Sequence, residues 1–96
     1  MAVTPVTPVP GQNTEIVTAG SAVQVFPANI NGGIITNPYG APAALIINPV
    51  GSAAEAAGGT GFALQPGQSW AAIAGQTTPT TANSTANTHV FSAVYW

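Results

Sequence analysis

Residues 34–51 read I-I-T-N-P-Y-G-A-P-A-A-L-I-I-N-P-V-G, and no other stretch narrows the possible folds as much. An apolar run meets Asn-Pro-x-Gly twice, at Asn37-Pro38-Tyr39-Gly40 and at Asn48-Pro49-Val50-Gly51. Each copy puts Asn at i, Pro at i+1 and Gly at i+3 of a type I turn. Proline removes a backbone donor and clashes with the preceding turn of a helix, so neither run can extend into one. Two short strands with two sharp stops remain. The runs at 33–36 and 43–48 are continuously apolar rather than alternating, which predicts cover on both faces.

The same punctuation recurs along the chain. Residues 14–18 and 22–26 are rich in β-branched side chains and read as strands, the second closed by Pro27. Residues 28–33, A-N-I-N-G-G, form a turn in which Asn and Gly supply positive φ. Residues 52–57 have helical propensity and Gly58-Gly59 to end them, but six residues cannot hold a helix alone, so a loop or single turn is expected. A strand at 61–64 leads into Gln65-Pro66-Gly67-Gln68, with Pro and Gly placed for a type II turn. A strand at 69–74 carries Trp70 and Ile73. Residues 76–88 are polar and predict one edge strand blunted by Pro79.

The final stretch, H-V-F-S-A-V-Y-W, is the strongest strand signal. Val90, Val94 and Trp96 fall on one face; Phe91, Ala93 and Tyr95 fall on the other, with His89 at the start. Large apolar residues on both faces place it at the centre of a sheet or at an interface. Seven to eight short strands predict an all-β, single-domain antiparallel β-sandwich or jelly-roll-like barrel over 14–96. Residues 1–13 are expected to be an extended Pro-rich arm, either a disordered tail or laid on a neighbouring subunit. Pro5, Pro8 and Pro10 exclude a helix there, and Val3, Val6 and Val9 line one edge of a polyproline II segment. The start M-A-V-T-P lacks the charged and apolar regions of a signal peptide, so the chain is expected to begin at its own Met.

Charge decides several questions of function. Only 2% of residues are charged, against about 25% in ordinary domains. There is no Lys, Arg or Asp, and the net charge is −2. Without basic residues the chain cannot displace counterions from phosphates, which argues against nucleic-acid binding. An anionic membrane surface is disfavoured on the same ground. A surface of hydroxyls and amides costs little to desolvate against another protein, because no ions are stripped. Cysteine is absent, so disulfides and thiolate metal sites are ruled out.

Glu15, Glu55 and His89 are the only side chains suited to acid–base work, and they lie in three different elements. No catalytic residue, metal ligand or cofactor site is expected, and His89 reads as a strand-end residue satisfied by the backbone. Asn83-Ser84-Thr85 matches the N-glycosylation sequon, a short motif without a secretory signal beside it. Tyr39 and Trp70 could stack on sugar rings, the feature a carbohydrate-binding or adhesion module on a fibre would use.

Five stretches then carry a resemblance: V-T-A-G-S-A-V-Q-V-F-P-A-N (17–29), I-I-T-N-P (34–38), A-L-I-I-N (44–48), F-A-L-Q-P-G-Q-S-W (62–70) and H-V-F-S-A-V-Y-W (89–96). Together the order resembles that of small all-β virion structural proteins of tailed bacteriophages. The resemblance implies a capsid decoration or cement protein on the virion surface. Its partners would be the major capsid protein and copies of itself, in a homotrimer. Val3, Val6, Val9, Phe91, Tyr95 and Trp96 are the candidate subunit contacts.

Overall fold

The computed structural model describes residues 12–16 by their backbone, and residues 19–50 and 61–96 in full. The arm contacts Val3, Val6 and Val9, residues 52–57 and Glu55 lie outside the described residues. Eight strands follow in order: β1 (Gln12–Ile16), β2 (Val23–Phe26), β3 (Gly33–Thr36), β4 (Leu45–Asn48), β5 (Phe62–Leu64), β6 (Ser69–Ala72), β7 (Thr80–Asn83) and β8 (His89–Tyr95). β1 starts two residues inside the segment expected to be arm.

Pairing is antiparallel throughout, and it matches first with last: β1 with β8, β2 with β7, β3 with β6, β4 with β5. A long hairpin of that kind can bury its apolar side only by rolling up. Two further pairings, β3 with β8 and β4 with β7, complete the roll. The result is sheet A, ordered β1-β8-β3-β6, facing sheet B, ordered β2-β7-β4-β5. This is the strand order of a jelly roll.

The core lies between the sheets. Phe26, Leu45, Ile47, Leu64 and Ala82 come from sheet B; Ile35, Ala72, Phe91 and Ala93 come from sheet A. Tyr95 tilts against Phe26 with ring centroids 5.7 Å apart, and Phe62 meets Trp70 at 5.4 Å. The second pair joins edge strands of opposite sheets and closes that side of the sandwich.

Two expectations about cover part company here. β4 is buried on both faces, as its continuous apolar run predicts. β3 is not: Ile35 faces the core, while Ile34 is 40% exposed on the outer face of sheet A. The run was continuous only because both outward and inward positions happen to be isoleucine.

The polar stretch is also placed differently from its expectation. β7 is an interior strand between β2 and β4, not an edge. Its composition misleads because the polar groups are satisfied internally. Gln76 Nε2 shares its two protons among Pro49 O, Thr78 O and Thr80 Oγ1, all within 3.1 Å, and Thr78 Oγ1 donates to Pro49 O at 2.7 Å. Hydrogen-bonded in this way, Thr80 can be buried without the cost of an orphaned hydroxyl.

Glycine at 32 and 33 serves close approach rather than positive φ; in that turn it is Asn29 that takes φ 63°. A Cβ on Gly33 would lie 2.8 Å from the Phe26 ring, and one on Gly32 would lie 2.8 Å from the Trp96 ring. Gly67 does adopt φ 91°, and Gln68 N–H donates to Gln65 O, as the type II turn requires.

Among the described residues the tightest glycine is Gly61, where a Cβ would meet the Ile47 carbonyl oxygen at 2.7 Å. A backbone atom in a paired strand cannot step aside as a side-chain tip can. Gly61→Ala is therefore expected to lower stability by about 1–3 kcal/mol, read as a lower denaturant midpoint. An unchanged midpoint would show that β4 and β5 separate there without strain.

Candidate functional site

His89 opens β8 on the inner face, by alternation with Phe91 and Ala93. That position points its ring into the end of the sandwich where three connections converge. One is the residue after β3, Asn37. Its backbone is fixed against the β5–β6 turn: Asn37 N–H donates to Gln68 O, and Gly67 N–H donates to Asn37 O. The side chain is thereby turned inward, where its Nδ2 donates to Leu64 O at 2.9 Å and to Ala43 O at 3.1 Å.

This use of Asn37 corrects the expected turn. The closing hydrogen bond runs from Ala41 N–H to Pro38 O, one residue later than the Asn-Pro-x-Gly reading placed it. Asn48 behaves more locally, its Oδ1 accepting Val50 N–H across Pro49.

The third connection, after that of β3 and the β5–β6 turn, is the β7–β8 loop. Ser84 Oγ lies 2.6 Å from His89 Nδ1 and accepts Ala86 N–H at 3.1 Å. On the far side of the ring, His89 Nε2 lies 2.8 Å from Asn37 Oδ1. These partners assign the tautomer. Both Asn37 Nδ2 protons are committed to carbonyls, so Oδ1 must accept, and His89 Nε2–H donates to it. Nδ1 is then the bare nitrogen, accepting the Ser84 hydroxyl proton. Ser84, His89 and Asn37 are all 0% exposed. Burial lowers the His89 pKa, because the cationic ring would lose its hydration.

A serine, a histidine and an amide in line share the connectivity of a nucleophile, a base and its orienting group. The surroundings differ from those of a reactive centre. All three side chains are sealed from solvent, and no cleft opens among the described residues. Every buried side-chain nitrogen and oxygen among them has a hydrogen-bond partner. The arrangement works as a neutral latch that ties together β3, β5, β7 and β8. His89 was singled out from the sequence with a backbone partner in view; its partners are instead two side chains that had been read as turn and sequon residues. The sequon itself is folded away, since Asn83 is buried and its Oδ1 accepts Ser84 N–H.

The second candidate surface is the outer face of sheet A. Ile34 pairs with Val94 on one side and Ala71 on the other. Trp96 continues the β8 pairing beyond the strand, exchanging backbone bonds with Gly32, and its ring covers the Gly32 Cα. Ile73, just after β6, is 74% exposed. Ser92, Thr36 and Ser69 lie beside this apolar corner, with Thr36 Oγ1 and Ser69 Oγ 2.8 Å apart. Glu15 holds the β1 register position opposite Val90.

The expected contact residues therefore separate. Trp96 belongs to the outer face. Phe91 does not: it is wholly buried between the sheets and has no surface to offer a partner. Tyr95 points inward too, packed on Phe26 at the margin of the core. Of the two aromatic residues proposed for sugar stacking, Tyr39 is 92% exposed, its ring resting on the Gly67 turn. Trp70 faces the gap between the sheets, so the two rings do not form one platform. Among the described residues no three His, Cys, Asp or Glu side chains gather as metal ligands.

The topology thus defines a small jelly roll with a sealed polar latch and one apolar outer corner. Compared with protein-family models, curated proteins and solved structures, the chain matches none.

Proposed function

We propose that this chain is a virion structural protein: a capsid decoration or cement protein that binds the shell of a tailed bacteriophage and bridges its subunits. The observation that carries the reading is the outer face of sheet A, where Ile34, Ala71, Val94 and Trp96 form an apolar corner flanked by hydroxyls. Removing such a surface from water is favourable, and no ionic hydration is lost in doing so. The chain's overall lack of charge supports the same reading, because a partner need supply only shape and apolar area. The role is mechanical. Contacts spread over neighbouring capsid subunits and copies of the chain, in a homotrimer, would oppose the outward pressure of packaged DNA. The arm valines Val3, Val6 and Val9 join Trp96 as contacts in this reading.

The test is direct. Purified protein is expected to self-associate, to bind expanded capsids in a fixed stoichiometry and to raise their temperature of disruption. A protein that stays monomeric and leaves capsids unbound would falsify the reading.

A further inference from the structure

β1 begins at Gln12, opposite Ala93, so residues 1–11 join the structure at the end of sheet A that carries Val94 and Trp96. The first described residue of β1 thus lies beside the apolar corner, and an extended arm would match that corner in its dimensions. A polyproline II segment advances about 3.1 Å per residue, so Val3, Val6 and Val9 repeat about every 9 Å. Strands lie about 4.8 Å apart, which puts alternate strands β8 and β6 about 10 Å apart. Successive valines can therefore meet Val94 on β8 and Ala71 on β6, with Ile34 between them. Pro5, Pro8 and Pro10 lack backbone donors, which suits an arm lying across a face already paired within the sheet better than one joining an edge. Neither the arm nor the corner bears a charged side chain.

Which copy supplies the arm is indicated by a repeated tripeptide. Val9-Pro10-Gly11-Gln12 matches Gln65-Pro66-Gly67-Gln68 in its Pro-Gly-Gln. The second of these carries the chain from β5 in sheet B into β6 in sheet A. Gln68 lies two residues before Trp70, which pairs with Ile35, and Gln12 pairs with Ala93; both glutamines hold inner-face register positions. The same turn before β1 predicts an approach from the side of sheet B, away from the outer face of its own sheet A.

We propose that the Val-Pro arm, residues 1–10, of one copy docks across the Ile34, Ala71, Val94 and Trp96 corner of a second copy. This deepens the assembly role above and rests on it for the expectation that copies associate. Two full-length variants test it: an arm variant (V3S/V6S/V9S) and a corner variant (I34T/V94T), each first checked for an intact thermal transition. Association is read by native mass and sedimentation over a range of concentrations.

Each variant alone should need at least about tenfold more protein to associate. An equimolar mixture should form heterodimers of one arm variant with one corner variant at concentrations where neither variant associates alone, because one partner brings the intact arm and the other the intact corner. No heterodimer on mixing would mean that arm and corner belong to one copy, and would overturn the proposal. So would an arm variant that associates like the unmodified chain, or an unmodified chain that stays monomeric. Capsid binding is scored separately; an arm variant that binds capsids without self-associating would remove this contact and leave the decoration role standing.

Discussion

Asn37→Ala is expected to remove about 3 kcal/mol or more of folding stability, a large part of the roughly 5–15 kcal/mol that a domain has. The substitution removes two buried hydrogen bonds and one part-buried one at once: those to His89 Nε2–H and the Leu64 carbonyl, and that to the Ala43 carbonyl. Each buried group left without a hydrogen bond costs about 1–3 kcal/mol. Denaturant unfolding followed by Trp fluorescence reads the change. Asn31→Ala supplies the comparison, since Asn31 is an exposed loop residue and should shift stability by less than about 0.5 kcal/mol. If the two variants unfold at the same midpoint, the latch contributes nothing and the sandwich is held by its apolar core alone.

Acid should loosen the same latch. The His89 pKa is lowered by burial, so the unfolded chain takes up the proton first, near the ordinary histidine value of about 6.5. Stability is therefore complete above that pH and falls as pH drops below it, until the folded-state ring is protonated as well. Within that window the slope for one proton is about 1.4 kcal/mol per pH unit. Among the described side chains no opposite charge lies against the protonated ring. The groups against it are the Ser84 hydroxyl and the Asn37 amide. On the neighbouring elements, Tyr39 is exposed in the β3–β4 loop, and Glu15 lies in β1 one register step from the Ile16–His89 pair.

The measurement is unusually clean, because apart from His89 only two glutamates can titrate among the acidic and imidazole side chains. Glutamate in water titrates about two pH units lower than histidine. Urea unfolding of the unmodified chain should give a lower free energy at pH 5.5 than at pH 7.5. His89→Gln should be less stable at neutral pH but nearly flat between those two values. A flat profile for the unmodified chain would show that the ring is hydrated in the folded state.

Strand positions were legible because each β-branched run ends at Pro, Gly or Asn. Gly33–Thr36 is found where the sequence places it, and the other runs differ by one or two residues at their ends. Their partners were not legible. Pairing β1 with β8 joins opposite ends of the chain, and no local pattern encodes that. β7 was misplaced at an edge because Thr80, Thr81 and Asn83 look solvated until Gln76, the Asn48 carbonyl and Ser84 N–H are seen to bond them. The latch was half visible. His89 stands out as the only histidine, but Asn37 lies 52 residues away and resembles any other asparagine before proline. A buried polar residue whose partner is distant leaves no sequence signal; it borrows the appearance of a turn.

The position of β8 has a consequence for biosynthesis. It is bonded to β1 on one side and β3 on the other, so sheet A has no continuous centre until residues 89–95 have emerged from the ribosome. Until then β1 and β3 expose unpaired backbone and Ile35 lacks its Ala93 neighbour. Charged gatekeeper residues, which ordinarily keep such nascent segments apart, are almost wholly missing from this chain. Newly made copies are thus most prone to aggregate before β8 emerges, and yield in a cell should depend on chaperone supply and synthesis rate more than the stability of the folded sandwich suggests.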